Sequence, residues 1–121
     1  MTDPLGAHTI GAAGEREAER FYEGQGYEIV ARNFRCGRVG EIDLIVRKGD
    51  FFVFAEIKTR SGDAFGGGIY SLSEKKKNRM RRTAGFFIDS RLPASSKGLF
   101  FRFDLVCVGP EGIELVQDIL R

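Results

Sequence analysis

Tryptophan is absent from this sequence, and cysteine occurs only at Cys36 and Cys107. The two cysteines lie far apart and form no CxxC pattern, which argues against a disulfide framework or a structural zinc site. A reducing, cytoplasmic location is therefore expected. No stretch approaches the roughly 18 consecutive apolar residues that a membrane span needs. The N-terminal stretch lacks a basic segment followed by a long apolar run, so no signal peptide is expected. Net charge is also scarce: +2 overall is too close to neutral to identify a partner. In place of tryptophan there are 11 Phe, which suggests a core filled largely by aromatic packing. A chain of 121 residues with 42% hydrophobic and 30% charged residues fits a single globular domain. Residues 1–8, with Asp3-Pro4 and Gly6, read as a loose N-terminus, leaving 9–121 as that domain.

From about Ile10 to Gly24 the pattern predicts a helix with Ala18, Phe21 and Tyr22 as its apolar stripe, ended by Gly24-Gln25-Gly26. Tyr27–Phe34 reads as a strand, followed by a polar turn at Arg35–Arg38. Glu41–Lys48 alternates, with Ile42, Leu44 and Val46 on one face and Glu41, Asp43, Ile45 and Arg47 on the other. Gly49-Asp50 supplies a two-residue hairpin turn. Phe51–Thr59 returns with Phe52, Phe54, Glu56 and Lys58 on one face and Phe51, Val53, Ala55 and Ile57 on the other. Gly62–Gly68 reads as a flexible loop. Ser73 can cap a helix to about Ser90, with Met80, Ala84, Phe87 and Ile88 at helical spacing. Pro93–Gly98 is a break, Phe101–Val108 an apolar strand, and Ile113–Val116 a short final strand. The order is a helix, an antiparallel three-strand meander, a crossover helix and two strands. It predicts a central mixed sheet flanked by helices, with Phe101–Val108 parallel to an earlier strand.

The hairpin carries the chemistry. Its turn pairs position i with about 99 − i, which sets Asp43 opposite Glu56. Glu56 and Lys58 project from one face of their strand. Cleaving a phosphodiester requires a placed water, neutralised phosphate oxygens and a stabilised leaving oxygen. Mg²⁺ or Mn²⁺ held by one or two carboxylates supplies these. The same residues also fit a buried ion cluster in which Lys58 separates two acids. On the first helix, Glu15 lies at the edge of the inward stripe and is the acid best placed to reach the sheet. An acid favouring the helix dipole is the competing explanation for it. Lys75, Lys76, Lys77, Arg79, Arg81 and Arg82 form a basic run that fits either a solvated face or a phosphate-binding surface. Lys76 shares the inward face of Met80 and Ala84, where it either meets the site or snorkels at the helix start.

Gly11-Ala-Ala-Gly-Glu15, Ala31-Arg-Asn-Phe34, Gly40-Glu-Ile-Asp-Leu-Ile45, Phe54-Ala-Glu-Ile-Lys-Thr-Arg60 and Arg102-Phe-Asp104 together resemble the YraN family of small bacterial proteins. The pattern is similar, more distantly, to archaeal Holliday-junction resolvases. This resemblance implies an α/β fold of the restriction-endonuclease-like type, with Glu15, Asp43 and Glu56 as the acidic site and Lys58 as base or charge stabiliser. Asp43, Glu56, the Ile57 carbonyl and Glu15 are the expected donors to Mg²⁺ or Mn²⁺. Lys75, Lys76, Lys77, Arg79 and Arg82 are the expected nucleic-acid contacts, and Glu41 is an accessory of undetermined role. Departures from the family include Ala55-Glu-Ile-Lys in place of Val-Glu-Val-Lys. A Gln common near Lys76 and Lys77 is also missing.

The expected function is a metal-dependent endonuclease hydrolysing DNA in preference to RNA, with branched repair or recombination structures as candidate substrates. No membrane association is expected. A homodimer is a candidate state, with Leu99–Phe103 and Ile113–Leu120 as candidate surfaces. The alternatives are a non-catalytic nucleic-acid-binding module on the same fold and a scaffold whose acids form an internal salt network.

Overall fold

In the computed structural model, residues 7–59, 72–92 and 97–120 are described, with side chains from residue 12 onward. They form α1 (Ala7–Gly24), β1 (Glu28–Cys36), β2 (Gly40–Lys48), β3 (Phe51–Thr59), α2 (Glu74–Arg91), β4 (Phe100–Gly109) and β5 (Gly112–Val116). The result is a mixed α/β structure with one five-stranded sheet in the order β1-β2-β3-β4-β5. β1, β2 and β3 form an antiparallel meander, β4 lies parallel to β3, and β5 runs antiparallel to β4. The expected order and directions hold. The first helix starts at Ala7, inside the stretch read as loose, and residues 1–6 lie outside the described residues. So do Gly62–Gly68 and most of the expected Pro93–Gly98 break. Among the described residues no helix is long and apolar enough to cross a membrane.

Local chemistry explains the boundaries. Gly26 adopts φ 95°, a left-handed conformation that ends α1, and the Tyr27 amide returns to the Tyr22 carbonyl at 3.1 Å. Gly49, at φ 60°, supplies the first central residue of the β2–β3 turn. The Ser73 side chain accepts the Lys76 amide at 3.1 Å, satisfying a donor at the start of α2. Glu74 in the first turn and Arg91 in the last both favour the helix dipole.

The sheet buries both faces. On the α1 side, Ala18, Tyr22 and Tyr27 pack with Leu44, Val46, Val53, Ala55, Val106 and Val108. On the α2 side, Ala84 and Phe87 pack with Phe34, Ile42, Ile45, Phe52 and Phe54. Phe54 is the hub of the expected aromatic core, with ring centroids 5.1 Å from Phe103 and 5.9 Å from both Phe87 and Phe101.

One facing expectation is corrected. Ile42 does not share a face with Leu44 and Val46. It joins the α2 cluster, while they join the α1 cluster. Strict alternation cannot place positions 42 and 44 on opposite faces, so the alternation is broken at Asp43, although β2 stays paired with β1 through Gly40. Its partner is irregular at the same level. Arg32 pairs with Leu44 and Phe34 with Ile42, so the intervening Asn33, at φ 49°, stands across from Asp43.

Candidate active site

The break in alternation lies where β2 and β3 separate. Their ladder runs from Lys48↔Phe51 to Leu44↔Ala55 and stops one pair short of the expected Asp43–Glu56 match. Beyond it, the Asp43 carboxylate accepts the Ile57 backbone N–H at 2.8 Å. Continued in register, Ile57 would have faced Ile42, so a side-chain carboxylate occupies the place of a ladder carbonyl. The N–H and C=O of one strand residue leave on the same side, so the Ile57 carbonyl also faces this fork.

Glu56 is buried on the opposite side of β3 from Val53 and Ala55, with only 11% of its side chain exposed. Its Oε2 lies 3.0 Å from Lys76 Nζ, so the inward lysine of α2 meets the site. Burial pushes the Asp43 carboxyl up to about 7, and the negative charge of Glu56 adds to the rise. The Ile57 N–H opposes that rise, whereas Glu41 and Glu15 contribute to it. The other three acids named from the sequence therefore all act on Asp43. Glu15 is half-buried on α1 next to Gly14, which packs so closely on Thr59 that a Cβ there would collide with the threonine side chain. Lys58 is exposed, two residues beyond Glu56 on β3. Among the described residues no three His, Cys, Asp or Glu side chains come together in a way that could hold a metal ion.

A cavity of about 480 Å³ opens at the fork. Its acidic lining is Glu41, Asp43 and Glu56, and its basic lining is Arg35, Arg38, Lys76 and Arg79. Of the cations expected from α2, Lys76 and Arg79 line it and Lys75, Lys77 and Arg82 do not. Lys77 instead lies 3.7 Å from Glu74. Arg35 and Arg38 lie outside the expected α2 set but line the cavity as well. Their signal was the turn just upstream of Asp43, which β1–β2 pairing folds back alongside it. Arg35 is held 3.0 Å from Glu41, giving the accessory acid a partner.

A second polar cluster lies on the α1 side, within the Arg102-Phe-Asp104 block. Asp104 is fully buried and receives Tyr22 Oη at 2.9 Å, Arg102 Nε at 2.8 Å and the Asp118 amide at 3.2 Å. Burial, followed by the charge of Asp104, drives the Tyr22 phenol far above its ordinary value. This closed network ties α1 to β4 and to the segment after β5.

Comparison with known proteins agrees with the family resemblance. A model of the Uncharacterised protein family UPF0102 matches residues 14–108, and the chain belongs to this family. A UPF0102 protein of Hahella chejuensis is 45% identical over 82 residues, covering 68% of this chain and 65% of that one. One from Streptomyces coelicolor is 41% identical over 99 residues, covering 82% and 75% of the two chains. One from Syntrophus aciditrophicus is 38% identical over 112 residues, covering 89% and 85%.

Proposed function

We propose that this member of the UPF0102 family is a metal-dependent nuclease on a restriction-endonuclease-like fold, hydrolysing phosphodiester bonds in DNA. The observation that carries the reading is the Asp43 carboxylate drawn into the fork between β2 and β3. There it lies within electrostatic reach of Glu56, in a cavity whose lining also carries Glu41 and the cations Arg35, Arg38, Lys76 and Arg79.

The donor chemistry fits a hard divalent cation. Asp43 and Glu56 offer carboxylate oxygens, the Ile57 carbonyl faces the same gap, and the like charges that lift Asp43 are those a cation would relieve. A closed cage is not needed, because Mg²⁺ keeps several waters and binds through one or two carboxylates plus substrate oxygens. Bound there, Mg²⁺ or Mn²⁺ would neutralise charge on the phosphate and ease deprotonation of an attacking water. The chain's own groups supply the rest. Lys58 orients the water or offsets charge on the phosphate, and Glu15 acts on the site through water. Arg35, Arg38 and Arg79 engage flanking phosphates, with Glu41 holding the Arg35 guanidinium in place.

A cleavage panel of linear, flapped, single-stranded and four-way DNA with Mg²⁺ and Mn²⁺ tests this. Wild type is expected to cut at least one substrate, with activity lost in Asp43→Asn and Glu56→Gln. Binding without cleavage of any substrate would make the protein a non-catalytic nucleic-acid module.

A further inference from the structure

Lys76 is the cation that faces Glu56. The glutamate is almost wholly buried, whereas the lysine side chain is 39% exposed, so one partner is fixed and the other reaches solvent. The Lys76 backbone is pinned, because its amide donates to Ser73 Oγ at the start of α2. Any rearrangement of this pair must therefore come from the four-carbon lysine stem. The pair also lies in the lining of the cavity, where Arg79, one helical turn further along α2, is exposed.

Glu56 Oε2 cannot serve an ammonium and a divalent cation equally well. The two cations repel each other at that range, and the divalent ion carries twice the charge. Loading the fork would therefore drive the ammonium off the carboxylate. Once displaced, it lies in the cavity that a phosphate must enter, on the same helix as Arg79.

We infer that Lys76 is a placeholder cation. It occupies Glu56 while the fork is empty, and transfers to a substrate phosphate when a divalent cation takes the carboxylate. This assignment rests on the nuclease reading above and deepens it. It makes metal and nucleic acid bind cooperatively through a single side chain, with Lys76 as the group that couples the two.

The test measures Mn²⁺ affinity by calorimetry, without nucleic acid, for wild type, Lys76→Met and Lys76→Gln, with folding checked by circular dichroism. Removing the competing ammonium should tighten Mn²⁺ binding about five-fold, the worth of one part-exposed ion pair. A second measurement is the affinity for a short labelled DNA duplex with and without Ca²⁺. The gain on adding Ca²⁺ should be large in wild type and largely lost in both variants. A lysine that only braces the helix would leave Mn²⁺ affinity unchanged or weaker in folded variants, and that result overturns the placeholder while leaving the nuclease reading intact. If wild type itself binds no Mn²⁺, the nuclease reading fails and this inference falls with it.

Discussion

Replacing Asp43 with Asn should make the metal-free protein more stable at neutral and alkaline pH. The Asp43 carboxyl is lifted from 3.8 to about 7, first by burial and then by the charge of Glu56. An acid raised in the folded state contributes stability that is complete below its unfolded value and is lost as pH rises through the folded one. The loss should therefore develop between about pH 4 and the folded value of about 7. The full shift corresponds to a ceiling of about 4 kcal/mol. Asp43 is half-buried, and solvent screening reduces the expected effect to about 2 kcal/mol. Asn carries no charge and retains an oxygen that can accept the Ile57 N–H. In EDTA at pH 8, calorimetry should show Asp43→Asn melting about 8 °C above wild type, the gap closing as pH falls toward 4. Adding Mn²⁺ should reverse the order, because only wild type gains binding energy, about 2.7 kcal/mol at a hundred times the dissociation constant. A variant no more stable than wild type in EDTA at pH 8 would refute the account of a strained, cation-seeking carboxylate.

The remaining expectations concern the cavity and the two sides of the sheet. Replacing Arg35 and Arg38 with Ala should weaken duplex binding and reduce its logarithmic salt slope by up to about 2, which a fluorescence-anisotropy salt titration would show. Tyr22→Phe removes one donor from buried Asp104 and should cost about 1–2 kcal/mol in urea unfolding, whereas Arg102→Met strands the buried carboxylate and should cost about 3 kcal/mol or more. Gly14→Val should push α1 away from Thr59 at a cost of about 1–3 kcal/mol, and Thr59→Gly should restore part of it in the double variant.

Much of the architecture was legible because its signals are local. Gly49-Asp50 set the register that the ladder from Lys48↔Phe51 to Leu44↔Ala55 follows, and Ser73 announced the start of α2. The site acids were legible for the same reason, since Asp43 and Glu56 belong to one hairpin. The fork was not. Ile42, Leu44 and Val46 read as a regular apolar alternation whether or not it is broken at Asp43, and only the folded structure, with Ile42 packed under α2 and Asp43 bonded to the Ile57 N–H, shows that it is. Nor could composition place Arg35 and Arg38 beside Lys76 and Arg79, because that depends on how α2 lies across β2. The role of Asp104 was equally hidden: a carboxylate inside an apolar strand makes sense only beside Tyr22, which is 82 positions away in the chain.

The two outer strands bear on how copies of the chain can meet. β1 is bulged between Ile29 and Ala31, turns left-handed at Asn33, and carries Arg32 and Arg35, each engaged by an acid. β5 is only five residues long and carries Glu114. Neither offers the long, flat row of free backbone groups on which another strand could add, so growth of the sheet from copy to copy is discouraged at both ends. A pair of molecules making paired cuts in a branched substrate would therefore have to meet face to face. Among the described residues, Phe100, 63% exposed at the start of β4 beside Phe101, and Phe86, 50% exposed on α2, are large apolar side chains available for such a meeting.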